Sequence, residues 1–243
     1  MPELPEVETV VRDLRAAGLV GAVVRDAVFF WPPTAAGIPA EEQAAALRGR
    51  AVRAVSRRAK YIVLELDDGR ALLIHLRMTG KLRFADAADA PLKHDRARLS
   101  FTDGRTLVLN DTRKFARVRL AERVADTLAA IGPEPLEAEF TVARFAAALN
   151  RRKRAVKSVL LDQSVVAGIG NIYADESLFA ARIHPERTAA SLSRGEVRRL
   201  HAAIRETLAL AIRANGTTLG RASTNFYSVA GRRGDNASNL RVF

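Results

Sequence analysis

The stretch YIVLELDDGRALLIHLRMTGKLRF, residues 61–84, decides the fold class. Two apolar runs flank DDGR, and an Asp68-Gly69 pair between such runs marks a tight hairpin. RMTG then interrupts the pattern and KLRF resumes it. Upstream, AVVRDAVFFW (22–31) has the same β-branched or alternating character. Downstream come RARLSFTDGRTLVLN (96–110), with a second hairpin signal at Asp103-Gly104, and ARVRLA (116–121). This predicts an antiparallel β-sandwich. The opening MPELPEVETV predicts one helix ahead of it: Pro5 suits a first helical turn, and Val7, Val10, Val11 and Leu14 form one apolar stripe.

Past the sandwich the pattern changes. IGPEPLEAEF (131–140) carries two prolines and reads as a connection between domains. TVARFAAALN, AVKSVLLDQSVV, NIYADESLFAARI and SRGEVRRLHAAIRETLALAIRANG then follow helical spacing, with Asn215-Gly216 as a stop signal. The expected division is a β-sandwich domain over 1–130, a linker over 131–138, and a helical domain with a C-terminal loop over 139–243. The segment TNFYSVAGRRGDNASNLRVF (224–243) is expected to be a long loop leading into a strand.

The 243 residues include 39 Lys and Arg against 27 Asp and Glu, a net charge of +12, with 48% hydrophobic residues. A globular chain this basic favours a polyanionic partner, nucleic acid first. It contains no cysteine, which excludes disulfides and thiolate metal sites within it. His75, His94, His184 and His201 are too scattered for a local metal motif, and no metal is expected. No run reaches the roughly 18 to 20 apolar residues of a membrane span, so a cytoplasmic protein is expected.

Several stretches could carry chemistry, each beside a plainer reading. Helix entry explains Pro5 but leaves Pro2 and Glu3 unused. If Met1 is removed, Pro2 presents a secondary amine titrating at about 7.7 to 8.0, against about 10.4 for lysine, and Glu3 beside it could move protons. Lys60, after Arg57 and Arg58, is either a solvated edge lysine or a cation held near a reacting anion. Met78 and Phe115, set among Arg77, Arg113 and Lys114, are either core residues near a sheet edge or side chains that fill the gap left by an extruded base. Gly168 and Gly170 make either a simple interhelical turn or a helix N-terminus whose N–H groups hold a phosphate, with Asn171 adding a donor. Arg151, Arg152, Lys153, Arg154 and Lys157 form a solvated face or track a phosphate backbone.

Taken together, MPELPEVET, RRAKY, HLRMTG, KHD, NDTRKF, GPEPL, GIGNIYADESLF, IHP and GTTL occur in an order that resembles bacterial formamidopyrimidine-DNA glycosylases along essentially the whole chain. The resemblance implies a β-sandwich joined to a helix-two-turn-helix domain, an α+β protein, with DNA in the cleft between them. It implies Pro2 as Schiff-base nucleophile, Glu3 as proton donor and Lys60 in the elimination step. His75, Asn171 and Gly170 would meet phosphate, and His94 and Arg152 would contact DNA. Met78, Arg113 and Phe115 would enter the duplex. The implied activity is excision of 8-oxoguanine or formamidopyrimidines from double-stranded DNA, with cleavage at the abasic site, by a monomer that needs no redox cofactor. The family usually adds a C-terminal zinc finger with four cysteines, and this sequence has none, so a zinc site is expected to be absent and the chain to be a shortened form. The loop over 223–238 lacks the family's usual Gly-Tyr-Phe-Gln, which leaves lesion preference open. Two alternatives stand beside this reading: a protein that binds damaged or abasic DNA without turnover, and, on charge alone, an RNA-binding protein.

Overall fold

A computed structural model describes residues 1–220 and 225–243. Helix α1 (Leu4–Ala16) begins where expected, with Pro5 in its first turn, and buries Val7, Val10, Val11 and Leu14. The strands are β1 (Val24–Phe29), β2 (Val52–Arg58), β3 (Tyr61–Leu66), β4 (Ala71–His75), β5 (Lys81–Asp86), β6 (Asp95–Phe101), β7 (Arg105–Asn110) and β8 (Arg117–Ala121). They form two antiparallel four-stranded sheets, ordered β1-β6-β7-β5 and β2-β3-β4-β8. Gly69 and Gly104, at φ +87° and +90°, turn the two predicted hairpins.

Two elements of this half carry no strong sequence signal. Helix α2 (Ala40–Leu47) is alanine-rich, and a single buried polar residue ties it down: the Gln43 amide donates to the Val118 carbonyl at 3.2 Å and accepts from the Leu120 N–H at 3.0 Å. In β2, four arginine and serine positions hide the alternation, yet Val52 and Val55 still point inward.

Strand β4 is buried along its whole length because both faces of its sheet are covered. Leu72 and Ile74 join the core between the sheets and α1. Ala71 and Leu73 face a smaller cluster under Leu128 and Ile131, beside the short helix α3 (Val124–Thr127).

The second half consists of α4 (Val142–Asn150), α5 (Val156–Leu160), α6 (Asn171–Ala181) and α7 (Arg194–Arg213). The Thr141 and Ser193 hydroxyls cap α4 and α7, and left-handed Asn215 and Gly216 follow the end of α7. Helix α6 is central, burying Tyr173, Ala174, Glu176, Ser177 and Leu178.

Each half has its own core, but chain ends are exchanged between them. Leu4, from the start of α1, sits fully buried in the helical core, while Phe226 and Val229 pack on the sandwich core. Burying a side chain of that size is worth on the order of 2 kcal/mol, so α1 is anchored at both ends. The expected terminal strand does not form. After a short turn at Asn236–Asn239, the Arg241, Val242 and Phe243 N–H groups donate to the buried Glu176 carboxylate, which takes the place of a strand partner.

Candidate active site and nucleic-acid interface

Pro2 and Glu3 lie at the seam between the two halves. Pro2 is buried behind an exposed Met1. The Leu4 N–H donates to the Gly168 carbonyl at 3.0 Å, so the chain start runs along the loop that enters α6. The Glu3 carboxylate accepts from the Gly170 N–H at 2.6 Å and from the Ile172 N–H at 3.0 Å. The loop glycines are required by this approach: a Cβ at Gly168, itself at φ +81°, would strike Leu4, and one at Gly170 would strike the Glu3 carboxyl.

Gly170 therefore departs from the reading of an outward-facing phosphate donor. Its N–H and that of Ile172 are spent on Glu3 at the helix N-terminus, where a carboxylate satisfies orphan donors as a phosphate would. Asn171, between them, is exposed and its side chain makes no hydrogen bond among the described residues.

Burial pushes the Glu3 carboxyl up to about 7, and the nearby Glu6 adds to the rise, against Lys60 and the two backbone donors. Glu6 is also fully enclosed and raised by burial, opposed by three donors: the Tyr173 hydroxyl at 2.5 Å, the Thr217 N–H at 2.7 Å and the Glu3 N–H at 2.8 Å. The pair thus includes one carboxyl that is half protonated near neutrality, which suits a proton donor and acceptor.

Lys60 is not a solvated edge residue. It occupies the two-residue turn between β2 and β3, is 6% exposed, and donates to the Ile169 carbonyl at 2.8 Å, on the same loop that meets Glu3. Burial pulls its pKa down, with Glu3 and Glu6 opposing and Arg77 assisting. The preceding arginines are not solvated either. Glu134, from the connecting segment, accepts from Arg57 at 2.7 Å, Arg58 at 3.0 Å and the Ala59 N–H at 2.6 Å. Burial works to raise Glu134, but this cage holds it below the usual carboxylate range.

His75 stands at the end of β4, packed edge-on against Tyr61 at 4.7 Å. Its Nδ1 accepts the Arg77 N–H at 3.0 Å, and burial, with Arg77 and Lys60 nearby, drives its pKa down to about 3. It is therefore neutral, and with Nδ1 accepting, Nε2 carries the proton. Met1, Lys60, His75 and Arg77 line one cleft, and Met1, Pro2, Met78 and Thr217 line a second.

Met78 and Phe115 are surface residues, 42% and 45% exposed, not core. The exposed Arg113 stacks its guanidinium 4.8 Å from the Phe115 ring centroid. The loops carrying them meet at Asp111, a fully buried residue of the NDTRKF stretch. His94 lies at the margin of this group, half-buried at φ +79°, with its carbonyl accepting the Asp111 N–H at 2.9 Å and Nδ1 3.2 Å from Arg96.

The basic run is less free than its composition suggests. Arg152 donates to the Ala148 carbonyl at 2.8 Å and reaches toward Asp162, Arg154 pairs with Asp162, and Lys157 pairs with Asp175 at 2.7 Å. Arg151 and Lys153 remain exposed.

Residues 1–118 match the family described as the formamidopyrimidine-DNA glycosylase N-terminal domain, and residues 131–223 match the formamidopyrimidine-DNA glycosylase H2TH domain. This chain belongs to the formamidopyrimidine-DNA glycosylase family. The family member from Protochlamydia amoebophila is 38% identical over 243 residues, covering 100% of this chain and 88% of the relative. That from Roseiflexus sp. is 46% identical over 246 residues, with the same coverage. Among solved structures, the Lactococcus lactis Fpg bound to DNA containing an abasic site superposes with TM-score 0.88 at 34% identity, covering 98% of this chain and 86% of that one. The MutM (Fpg) protein of Thermus thermophilus gives 0.87 at 38%, with the same coverage.

The zinc site associated with this family does not fit the residues present. There is no cysteine in the sequence, and the described residues contain no cluster of three or more His, Cys, Asp or Glu that could hold a metal ion. Among the described residues no helix is long and apolar enough to cross a membrane. Of the loop over 223–238, residues 223 and 224 lie outside the described residues. Sequence reasoning missed Glu6, Asp111, Glu134, Tyr173 and Thr217, because each acts through partners distant along the chain.

Proposed function

We propose that this protein is a bifunctional DNA glycosylase and abasic-site lyase of base excision repair, removing 8-oxoguanine and formamidopyrimidines from duplex DNA through an N-terminal proline Schiff base. The observation that carries the reading is the juxtaposition of Pro2, the Glu3 carboxyl and the Lys60 amine at the seam between the sandwich and α6. Removal of Met1 frees the Pro2 amine. That amine attacks C1′ of the extruded nucleotide, the damaged base leaves, and a C1′ iminium forms once Glu3 has delivered a proton that opens the sugar. The iminium then acts as the electron sink for loss of the 2′ proton and expulsion of the 3′ phosphate, with Lys60 assisting. No step changes the overall oxidation state, so no redox cofactor is called for.

In this reading Met78, Arg113 and Phe115 fill the stack after extrusion. His75 offers a neutral Nε2–H and Asn171 an amide to backbone phosphates, while Gly170 serves indirectly by seating Glu3. His94 and Arg152 flank the DNA path. The functional units are the sandwich over 1–130 and the helical part over 139–243, joined through 131–138. The protein works as a cytoplasmic monomer on damaged double-stranded DNA.

Borohydride trapping tests this. The Met1-free protein should form a covalent adduct with a duplex containing 8-oxoguanine at low salt, and Pro2→Gly should reduce it sharply. Binding to abasic DNA without any adduct would instead identify a damage-recognition protein without turnover.

A further inference from the structure

Irregular loops leave backbone N–H groups without ladder partners, and a loop that must wedge into stacked bases needs those groups tied down, or it bends instead of the DNA. Met78 lies between β4 and β5, and Arg113 and Phe115 lie between β7 and β8. The two loops are about 35 residues apart in sequence and belong to strands of both sheets. The buried Asp111 side chain joins them, alongside a longer direct link in which the Thr79 hydroxyl accepts from the Arg113 N–H at 3.4 Å. Asp111 Oδ1 accepts from the Thr79 hydroxyl, next to Met78, and from the Arg113 N–H at 3.1 Å. Its Oδ2 accepts from the Phe115 N–H at 2.7 Å and the Ala116 N–H at 2.8 Å. Each oxygen therefore serves two donors, and the carboxylate has no exposure to solvent. The Asp111 backbone is clamped as well: its N–H donates to the His94 carbonyl at 2.9 Å, and its carbonyl accepts from Arg96 Nε at 2.7 Å. On the other loop, Gly80 donates to the Leu76 carbonyl at 3.0 Å in a turn with no room for a Cβ.

We propose that Asp111 is the positioning residue that fuses the two loops into one body, so that Met78 and the Arg113–Phe115 stack enter the duplex together and at a fixed separation. This rests on the glycosylase reading above. Asp111 touches neither the base nor the sugar; it acts through the loops it holds. An asparagine in its place turns its amide NH2 either toward Thr79 and Arg113, where the Thr79 hydroxyl can rotate to accept but the Arg113 N–H cannot, or toward the Phe115 and Ala116 N–H groups, so in both orientations the Arg113–Phe115 loop loses an acceptor while shape is kept.

The test uses Met1-free protein and duplexes carrying 2-aminopurine beside the lesion, whose fluorescence rises on unstacking. Asp111→Asn should abolish most of the rise and slow 8-oxoguanine excision on the order of a hundredfold, as displacements near 1 Å do. Borohydride trapping on single-stranded abasic DNA, which has no stack to fill, should fall far less, so the ratio of duplex to single-strand trapping drops. Thr79→Val removes the Met78 loop's bond to Asp111 and the longer 3.4 Å bond that the Thr79 hydroxyl accepts from the Arg113 N–H, while Arg113, Phe115 and Ala116 keep Asp111; it should slow duplex excision about tenfold, as loss of one good and one long hydrogen bond would, with Thr79→Ser restoring it. That pair also decides the question if Asp111→Asn does not fold.

The proposal is overturned if Asp111→Asn keeps the wild-type fluorescence rise, if single-strand and duplex trapping fall together, or if Thr79→Ser behaves like Thr79→Val. Failure of the underlying reading looks different: wild-type protein would then form no adduct on any substrate. The fluorescence rise on binding a duplex with an abasic analogue would still show whether the two loops insert as one.

Discussion

Replacing Glu3 with glutamine should remove a pH dependence of stability whose size follows from the site. The carboxyl titrates at about 7 in the folded protein against an ordinary value of 4.5, because burial outweighs the two backbone donors and Lys60, with Glu6 adding to the rise. Between those values the folded chain binds the proton more tightly than the unfolded one. The contribution of this group is therefore fully present below pH 4.5 and is lost as pH rises through 7. A difference of that width corresponds to about 3 kcal/mol at 1.36 kcal/mol per pH unit. Glutamine does not titrate, and its mismatch with the Gly170 or Ile172 N–H is the same at every pH, so it cancels when two pH values are compared. Urea unfolding of both proteins at about pH 5 and pH 8 should show wild type losing about 2 to 3 kcal/mol relative to Glu3→Gln over that interval, and thermal melts should show the same difference as roughly 4–12 °C in Tm for a chain of this size. A change below about 1 kcal/mol, or one of opposite sign, would refute the claim that burial dominates at Glu3. It would mean that the helix N-terminus holds the carboxylate charged.

Three further outcomes follow from the same geometry. His75, driven down to about 3 by burial beside Arg77 and Lys60, should cost stability as pH falls below its ordinary value of 6.5, at roughly 1.4 kcal/mol per unit; His75→Gln should flatten the acid limb of a thermal-melt series. Gly170→Ala forces a methyl group into the Glu3 carboxyl, and an overpacked site of this kind should lower stability by about 1–3 kcal/mol and adduct yield with it, whereas Gly195→Ala, where a Cβ meets only ordinary contacts at 3.9 Å in the first turn of α7, should lower neither. Glu134→Ala removes the acceptor shared by Arg57, Arg58 and the Ala59 N–H, leaving Arg57 on Glu8 and Arg58 on the Ile131 and Gly132 carbonyls; it should cost about 1–3 kcal/mol, as loss of a charged hydrogen-bond partner does, and slow trapping more than Glu134→Gln, because the Lys60 turn loses one of its anchors.

Much of this protein is local and was legible in the chain. The two Asp-Gly hairpins, the apolar stripe of α1 and the Asn215-Gly216 stop depend on residues a few positions apart, and periodicity or turn chemistry reports them. The candidate residues Pro2, Glu3 and Lys60 were legible as motifs. Tertiary structure decided what those motifs meet. The Gly170 N–H faces inward to Glu3, Lys60 is buried against Ile169, and the terminal residues bind Glu176 in place of a strand partner. It also decided that Met78 and Phe115 lie outside the core and that Asp111 lies between their loops. A side chain's protonation and aim depend on desolvation and on donors tens or hundreds of residues away. Spacing along a chain carries no record of either until the backbone brings those groups together.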